Sequence, residues 1–389
     1  MDFKYIVVGA GFSGIVMAER ISTVLGERTI LLEQRNHIGG NAYDYYDEYG
    51  NLIHKYGPHI FHTTLPVVWN YLSQFTDWIP YEHKVLGSID GQLMPIPFNL
   101  NSLHLAFPSK MAMRLEDKLI DGYGYNVKVP ILKLRNNDDP ELQFLADYIY
   151  EKVFLNYTIK QWGVSPEELS PSVTARVPVY VSRDDRYFQD KYQAMPRHGY
   201  TQMFENMLNS KLIHLMLNTD YKDVLSVDLE TGEITFLGQP FDGKLIYTGP
   251  LDYFFDFKYG PLPYRSLRFE FENHATNSYQ RVGTVNYPCD YDYTRVTEFK
   301  HLTHQQSQST TIVREYPEPY EREKNLPYYP IKNDANAELL GLYHADARRL
   351  SNVFFLGRLA EYQYYNMDAV VSKALKVFSQ NVCGGPQDT

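Results

Sequence analysis

The 389-residue chain holds 37 Lys and Arg against 47 Asp and Glu, a net charge of −10. That balance offers no general attraction to nucleic acid or an anionic membrane, so an anionic ligand would need local cationic clamps. Hydrophobic content of 44% and charged content of 22% are globular proportions, and the length allows two or three domains with sizeable cores.

The first element is an apolar strand, Tyr5 to Val8, running into Gly9-Ala10-Gly11-Phe12-Ser13-Gly14. An amphipathic stretch follows from Ile15 to Leu25, then a second apolar run, Thr29 to Leu32, ending on Glu33. This is the β-α-β dinucleotide fingerprint in full context. Gly9 makes the tight turn, Gly11 admits a pyrophosphate to the backbone, and Gly14 lets helix and strand pack closely. The phosphates belong at the helix N-terminus, where unpaired N–H groups and the dipole favour negative charge. Glu33 is placed to bind a ribose. The next residues, Gln34 to Ala42 with Gly39-Gly40, resemble the second glycine pair of FAD-binding proteins of the glutathione-reductase and amine-oxidase type. That resemblance implies FAD, contacted by Phe12, Ser13, Gln34, Gly40, Asn41 and Ala42.

From Asn101 the pattern turns helical. Asp139-Pro140-Glu141 is a helix start with an N-cap and a proline at the first helical position. Leu142, Leu145, Ala146, Ile149 and Val153 form its apolar face. Ser165-Pro166-Glu167-Glu168 is a capping box. Residues 176–200 predict a strand and a long loop. Residues 225–247 predict a hairpin and then the strand Lys244 to Tyr247. Ser266 to Phe271 and Thr310 to Arg314 alternate as strands. Val353 to Arg358 is a buried strand entering a loop, and a helix from about Met367 to Phe378 closes the chain. The expected class is α/β: a Rossmann-like FAD-binding domain with a helical insertion and an antiparallel β-sheet domain. The FAD domain is discontinuous, from 1–85, about 200–260 and 340–389. The helical substrate domain covers about 100–175. The sheet domain takes about 86–99, 176–199 and 261–339 and includes a mobile loop. Cys289 and Cys383 are far apart and in no metal spacing, so neither a metal site nor a disulfide is expected. Without an apolar run long enough to span a bilayer, and without a signal-peptide pattern, a cytoplasmic protein is expected.

Several longer motifs, in order, resemble the bacterial UDP-galactopyranose mutase family over nearly the whole length. They are Tyr56-Gly57-Pro58-His59-Ile60-Phe61-His62-Thr63, Tyr157 to Gly163, and Arg176-Val177-Pro178-Val179. Asp184 to Phe188, Met195 to Thr201, Tyr293-Thr294-Arg295, Pro327 to Pro330 and Gly357 to Tyr362 follow. The resemblance implies an isomerase that interconverts UDP-galactopyranose and UDP-galactofuranose for galactofuranose-containing glycans. It implies FAD in its reduced form, whose N5 attacks the anomeric carbon as UDP leaves. A reductant such as NAD(P)H and a homodimer are expected with it, and no nucleic-acid or membrane partner.

By the same resemblance, Arg176 and Arg295 clamp the diphosphate, which suits arginine's permanent charge and forked donors. Tyr187, Tyr329 and Tyr364 hydrogen-bond the phosphates. Phe154, Tyr157 and Trp162 hold the uridine, and His59 helps position flavin or sugar. His62 carries a weaker case for the same work. Arg358 adds positive charge near cofactor and substrate, and Met367 opens a helix aimed at the flavin. Asn366 stands where many family members have aspartate, which keeps hydrogen bonding and removes a charge. Two other readings share these features: an FAD-dependent oxidoreductase of the amine-oxidase type, and a mutase acting on an N-acetylated UDP-sugar. A non-enzymatic FAD or UDP-sugar binding protein is a third.

Overall fold

The computed structural model describes residues 2–163, 178–333 and 336–383. Tyr5–Val8 is buried along its whole length, the signature of a strand paired on both edges and covered on both faces. It lies at the centre of a five-stranded parallel sheet in the order Ile213–Met216, Thr29–Leu32, Tyr5–Val8, Lys244–Tyr247, Val353–Phe355. The helices Phe12–Arg20 and Met367–Val377 share one apolar core on a face of this sheet. The last strand and helix are therefore supplied by the C-terminal end of the chain.

The second sheet has seven strands, with Thr284–Asn286, Arg295–Glu298, Thr310–Pro319 and Tyr264–His274 consecutive within it. It is not wholly antiparallel as the sequence suggested. Thr284–Asn286 pairs in parallel with Val85–Ile89, because the long excursion between them lets both strands run the same way. Residues 225–241 form three short antiparallel strands rather than one hairpin.

The helical unit packs its core on the Val85 end of that sheet. Asp139 caps Pro140–Ile149 by accepting from the N–H groups of Glu141 and Leu142. The helical path does not stop there. A wide π-type turn, Tyr150–Leu155, leads into Asn156–Trp162. Such turns insert one residue and re-aim the side chains after them, here Tyr157, while Phe154 lies within the turn itself.

The capping box at 165–168 and Arg176 lie outside the described residues. The described part of the expected mobile loop is tethered. Pro178–Val181 pairs with Val127–Pro130, and Tyr192–Pro196 is the central strand of a three-stranded sheet. Between them Asp185 accepts from Asn99 and Asn101, while Arg183 pairs with Glu116 and Arg186 with Asp184. The charges of residues 183–186 are thus held by side chains from the helical unit and from the loop itself.

Candidate functional site

Two cavities meet at the C-terminal ends of the parallel strands, where open α/β sheets bind ligands. The first, about 220 Å³, is lined by Gly9, Gly11, Phe12, Ser13, Glu33, Gln34, Gly40, Asn41 and Ala42, with Thr248 and Gly357. The second, about 510 Å³, is lined by Phe154, Tyr157, Trp162, Tyr187, Arg295, Tyr329, Tyr364 and Asn366. Asn41, His59, Tyr328, Arg358 and Met367 line both and form the junction.

The glycine cradle is tight where chain meets chain. A Cβ on Gly14 would lie 1.9 Å from the Gly9 carbonyl oxygen, and one on Gly40 would lie 2.9 Å from Gly11 Cα. Gly14 is thus the one fingerprint glycine that shapes the cavity without lining it. Gly39 N–H donates to Ala10 O at 2.7 Å, tying the second glycine pair to the first loop. Glu33 is buried and accepts from Ala10 N–H at 2.8 Å and Arg35 N–H at 2.9 Å. Beyond its expected ribose role, it therefore braces the loop itself. Arg35, which sequence reasoning passed over, stacks on Tyr56 at 4.5 Å and donates to Asn41. Its Nη1 is buried without a hydrogen-bond partner among the described residues. A buried cationic donor left unmet beside an open glycine cradle fits a dinucleotide diphosphate.

His59 is held from three sides. Its N–H donates to His54 Nδ1 at 3.0 Å, its Nδ1 lies 2.8 Å from Gly57 O, and its carbonyl accepts from Tyr200 at 3.2 Å. Burial pushes its imidazole down to about 3, and His54, Arg358 and Arg295 add to the effect. It is therefore neutral at working pH, with Nδ1–H donating to Gly57 and Nε2 left as an acceptor. His62 stacks on Phe188 and meets Asp190 at 3.0 Å.

Trp162, Tyr329 and Tyr364 form an aromatic cluster with ring centres 5.4–5.9 Å apart. Arg358 lies over the Tyr329 and Tyr364 rings and donates to the carbonyls of Tyr365 and Tyr328. Its charge is thereby fixed at the junction. Burial raises the Tyr157 and Tyr329 phenols, which stay protonated donors. Asn366 is the residue before Met367–Val377, yet its side chain makes no capping bond. An asparagine there ordinarily caps. Here it lines the second cavity, and the helix presents its first turn to the junction.

The structure places the site residues expected from sequence around the two cavities, except Gly14, which lies behind the first, and Arg176, which is outside the described residues. It also adds His83, Lys128, Gln161, Asn286 and Glu315 to the second cavity. Glu315 pairs with Arg295 across neighbouring strands, a contact between residues 20 apart with no local sequence signal.

A parallel dinucleotide sheet whose cofactor cradle opens onto an aromatic, cationic second cavity defines a dinucleotide-binding enzyme of the flavoenzyme-fold class. Comparisons make the family specific. The family model for UDP-galactopyranose mutase matches residues 152–364, and that for an NAD(P)-binding Rossmann-like domain matches 7–75. The chain is 36% identical over 375 residues to a probable UDP-galactopyranose mutase of Klebsiella pneumoniae, covering 95% of this chain and 92% of that protein. It is 34% identical over 382 residues to the UDP-galactopyranose mutase of Mycoplasma pneumoniae, covering 96% and 94%. A dTDP-fucopyranose mutase of Escherichia coli is 33% identical over 380 residues, covering 96% and 97%. In fold, the chain resembles a reduced UDP-galactopyranose mutase with a TM-score of 0.75, at 16% identity and covering 100% of this chain and 96% of that one. A putrescine oxidase is more distant, with a TM-score of 0.59, at 13% identity and covering 98% and 99%. The chain belongs to the UDP-galactopyranose mutase family, whose members are flavin-dependent isomerases. Among the described residues, no helix is long and apolar enough to cross a membrane and no cluster is suited to a metal ion.

Proposed function

We propose that the chain interconverts UDP-galactopyranose and UDP-galactofuranose, with FAD in the first cavity and the nucleotide sugar in the second. The observation that carries this reading is the junction: His59, Arg358 and Met367 line both cavities, so a flavin ring and a sugar would meet there. FAD is favoured by the second glycine loop at Gly39-Gly40 and by the unmet Arg35 donor. Bound and reduced, the flavin supplies a nucleophilic nitrogen.

The chain's own residues do the rest. Arg295 offers forked donors to the diphosphate, with Arg176 as a second clamp. The hydroxyls of Tyr187, Tyr329 and Tyr364 donate hydrogen bonds to the diphosphate oxygens. Phe154, Tyr157 and Trp162 hold the uridine. His59, neutral, positions without protonating. Arg358 and the first turn of Met367–Val377 favour negative charge on a reduced ring. The amine-oxidase reading explains none of the phosphate donors.

The dTDP-fucopyranose mutase relative makes a dTDP-sugar the strongest competing substrate. The test is titration of the flavin-loaded protein with UDP-galactose, UDP-N-acetylgalactosamine and dTDP-fucose, followed by turnover after dithionite reduction. UDP-galactose should give the highest kcat/KM. A higher value for either competitor would reassign the substrate while keeping the reaction. The physiological reductant is expected to be NAD(P)H-linked, and a homodimer is the expected assembly.

A further inference from the structure

Arg295 and Glu315 face each other on the antiparallel strands Arg295–Glu298 and Thr310–Pro319. Nε donates to Oε2 at 2.9 Å and Nη2 to Oε1 at 2.7 Å, a two-pronged contact. The Glu315 side chain is only 1% exposed and that of Arg295 26%, and both line the second cavity. A carboxylate beside a diphosphate site is unexpected on charge matching alone, because it cancels part of the attraction the arginine provides. What it supplies is geometry. Guanidinium is planar, and a fork on one edge fixes the direction of the other. The contact takes Nε and one N–H of Nη2, so the remaining three donors lie on the edges away from Glu315.

We infer that Glu315 is a positioning residue, holding the Arg295 guanidinium at a set angle to the second cavity at the expense of some attraction for the diphosphate. This rests on the reading that Arg295 meets the diphosphate. It has an unusual consequence. Removing Arg295 alone leaves a buried carboxylate without its counter-ion where an anion must arrive, so part of the resulting loss is repulsion from Glu315.

The test is a double-mutant cycle read by UDP binding, which needs no turnover, alongside kcat with UDP-galactose. Flavin content and thermal midpoint confirm that each variant is folded. Glu315→Gln should bind UDP as tightly as wild type or more tightly, while kcat falls on the order of tenfold through loss of donor alignment. Arg295→Ala should weaken UDP binding, and adding Glu315→Gln to it should recover part of that loss, by a larger factor than Glu315→Gln gains in the wild-type background. Additive weakening in the double variant, or wild-type kcat in Glu315→Gln, would overturn the inference. Should Glu315→Gln not fold, Glu315→Asp keeps the charge and shortens the reach. It should lower kcat without tightening UDP, and an unchanged kcat would again overturn the inference. Wild-type protein that fails to bind UDP sinks the functional reading itself, whereas UDP binding with an additive cycle sinks only the role of Glu315.

Discussion

Alanine at Gly14 and at Gly11 should separate the fold of the cofactor cradle from its ligand. A Cβ on Gly14 would sit 1.9 Å from Gly9 O and 3.2 Å from Val7 Cγ1. Reaching an ordinary contact of about 3.5 Å requires the helix start to move by roughly 1.5 Å. The severe clash is with turn backbone, the Gly9 carbonyl oxygen and its carbon at 3.1 Å, so the strain has no flexible side chain to absorb it. Overpacking of this kind costs about 1–3 kcal/mol. A Cβ on Gly11 would instead meet only Gly40 Cα, at 3.8 Å, an ordinary contact. It should leave the fold intact and intrude only on a ligand. Gly14→Ala should therefore lower both the thermal midpoint of flavin-free protein and flavin occupancy. Gly11→Ala should keep the midpoint and weaken flavin binding by about tenfold or more, which is about 1.4 kcal/mol. The assay is the flavin-to-protein absorbance ratio after dialysis, with a flavin titration of the stripped protein. Full flavin affinity in Gly11→Ala would refute the placement of the pyrophosphate over this loop.

Tyr157→Ala should weaken UDP by about 1–3 kcal/mol, the scale of base stacking on an aromatic ring, and leave galactose-1-phosphate inhibition unchanged; equal losses for both ligands would remove Tyr157 from the base site. Oxidised protein should be inactive and regain turnover on dithionite reduction, since only the reduced flavin is nucleophilic; equal rates in both states would contradict this. Burial pushes His54 and His83 down to about 3. Unfolded histidine titrates near 6.5, so the unfolded chain binds more protons between those values, and stability is full above about pH 6.5 and falls as pH drops toward 3. Each histidine should remove about 2 kcal/mol between pH 7 and 5, read as a lower urea midpoint. His83→Asn should flatten that slope, and an unchanged slope would mean that His83 is not buried neutral.

Much of the architecture was legible because its signals are local. Tyr5 to Val8, Gly9 to Gly14 and Glu33 lie within one β-α-β unit, and periodicity plus turn chemistry suffice there. Asp139-Pro140 likewise announced a helix start that the structure keeps. The π-type turn at Tyr150–Leu155 was not legible, because inserting one residue leaves the apolar spacing almost unchanged. The parallel pairing of Thr284–Asn286 with Val85–Ile89 was hidden by some 195 intervening positions. The site followed the same rule. His59, Trp162 and Arg295 stand in recognisable motifs, whereas Glu315 and Asn286 reach the second cavity through sheet register, and His83 through the short link between Trp78–Pro80 and Val85–Ile89, strands of different sheets. Arg35 had a position in the right loop, but its unmet Nη1 is a property of packing. The contacts of residues 183–186 depend on Glu116, Asn99 and Asn101, far off in sequence, so they left no local signal in that charged segment.

The most direct measurement follows the anomeric carbon of labelled UDP-galactose by nuclear magnetic resonance, in the presence of dithionite-reduced, flavin-loaded protein. Two joined cavities that present the sugar to a reduced flavin predict a second anomeric signal, that of UDP-galactofuranose, growing to equilibrium with no net oxidation of sugar or flavin. A spectrum that stays unchanged, or a product oxidised at carbon, would contradict the account.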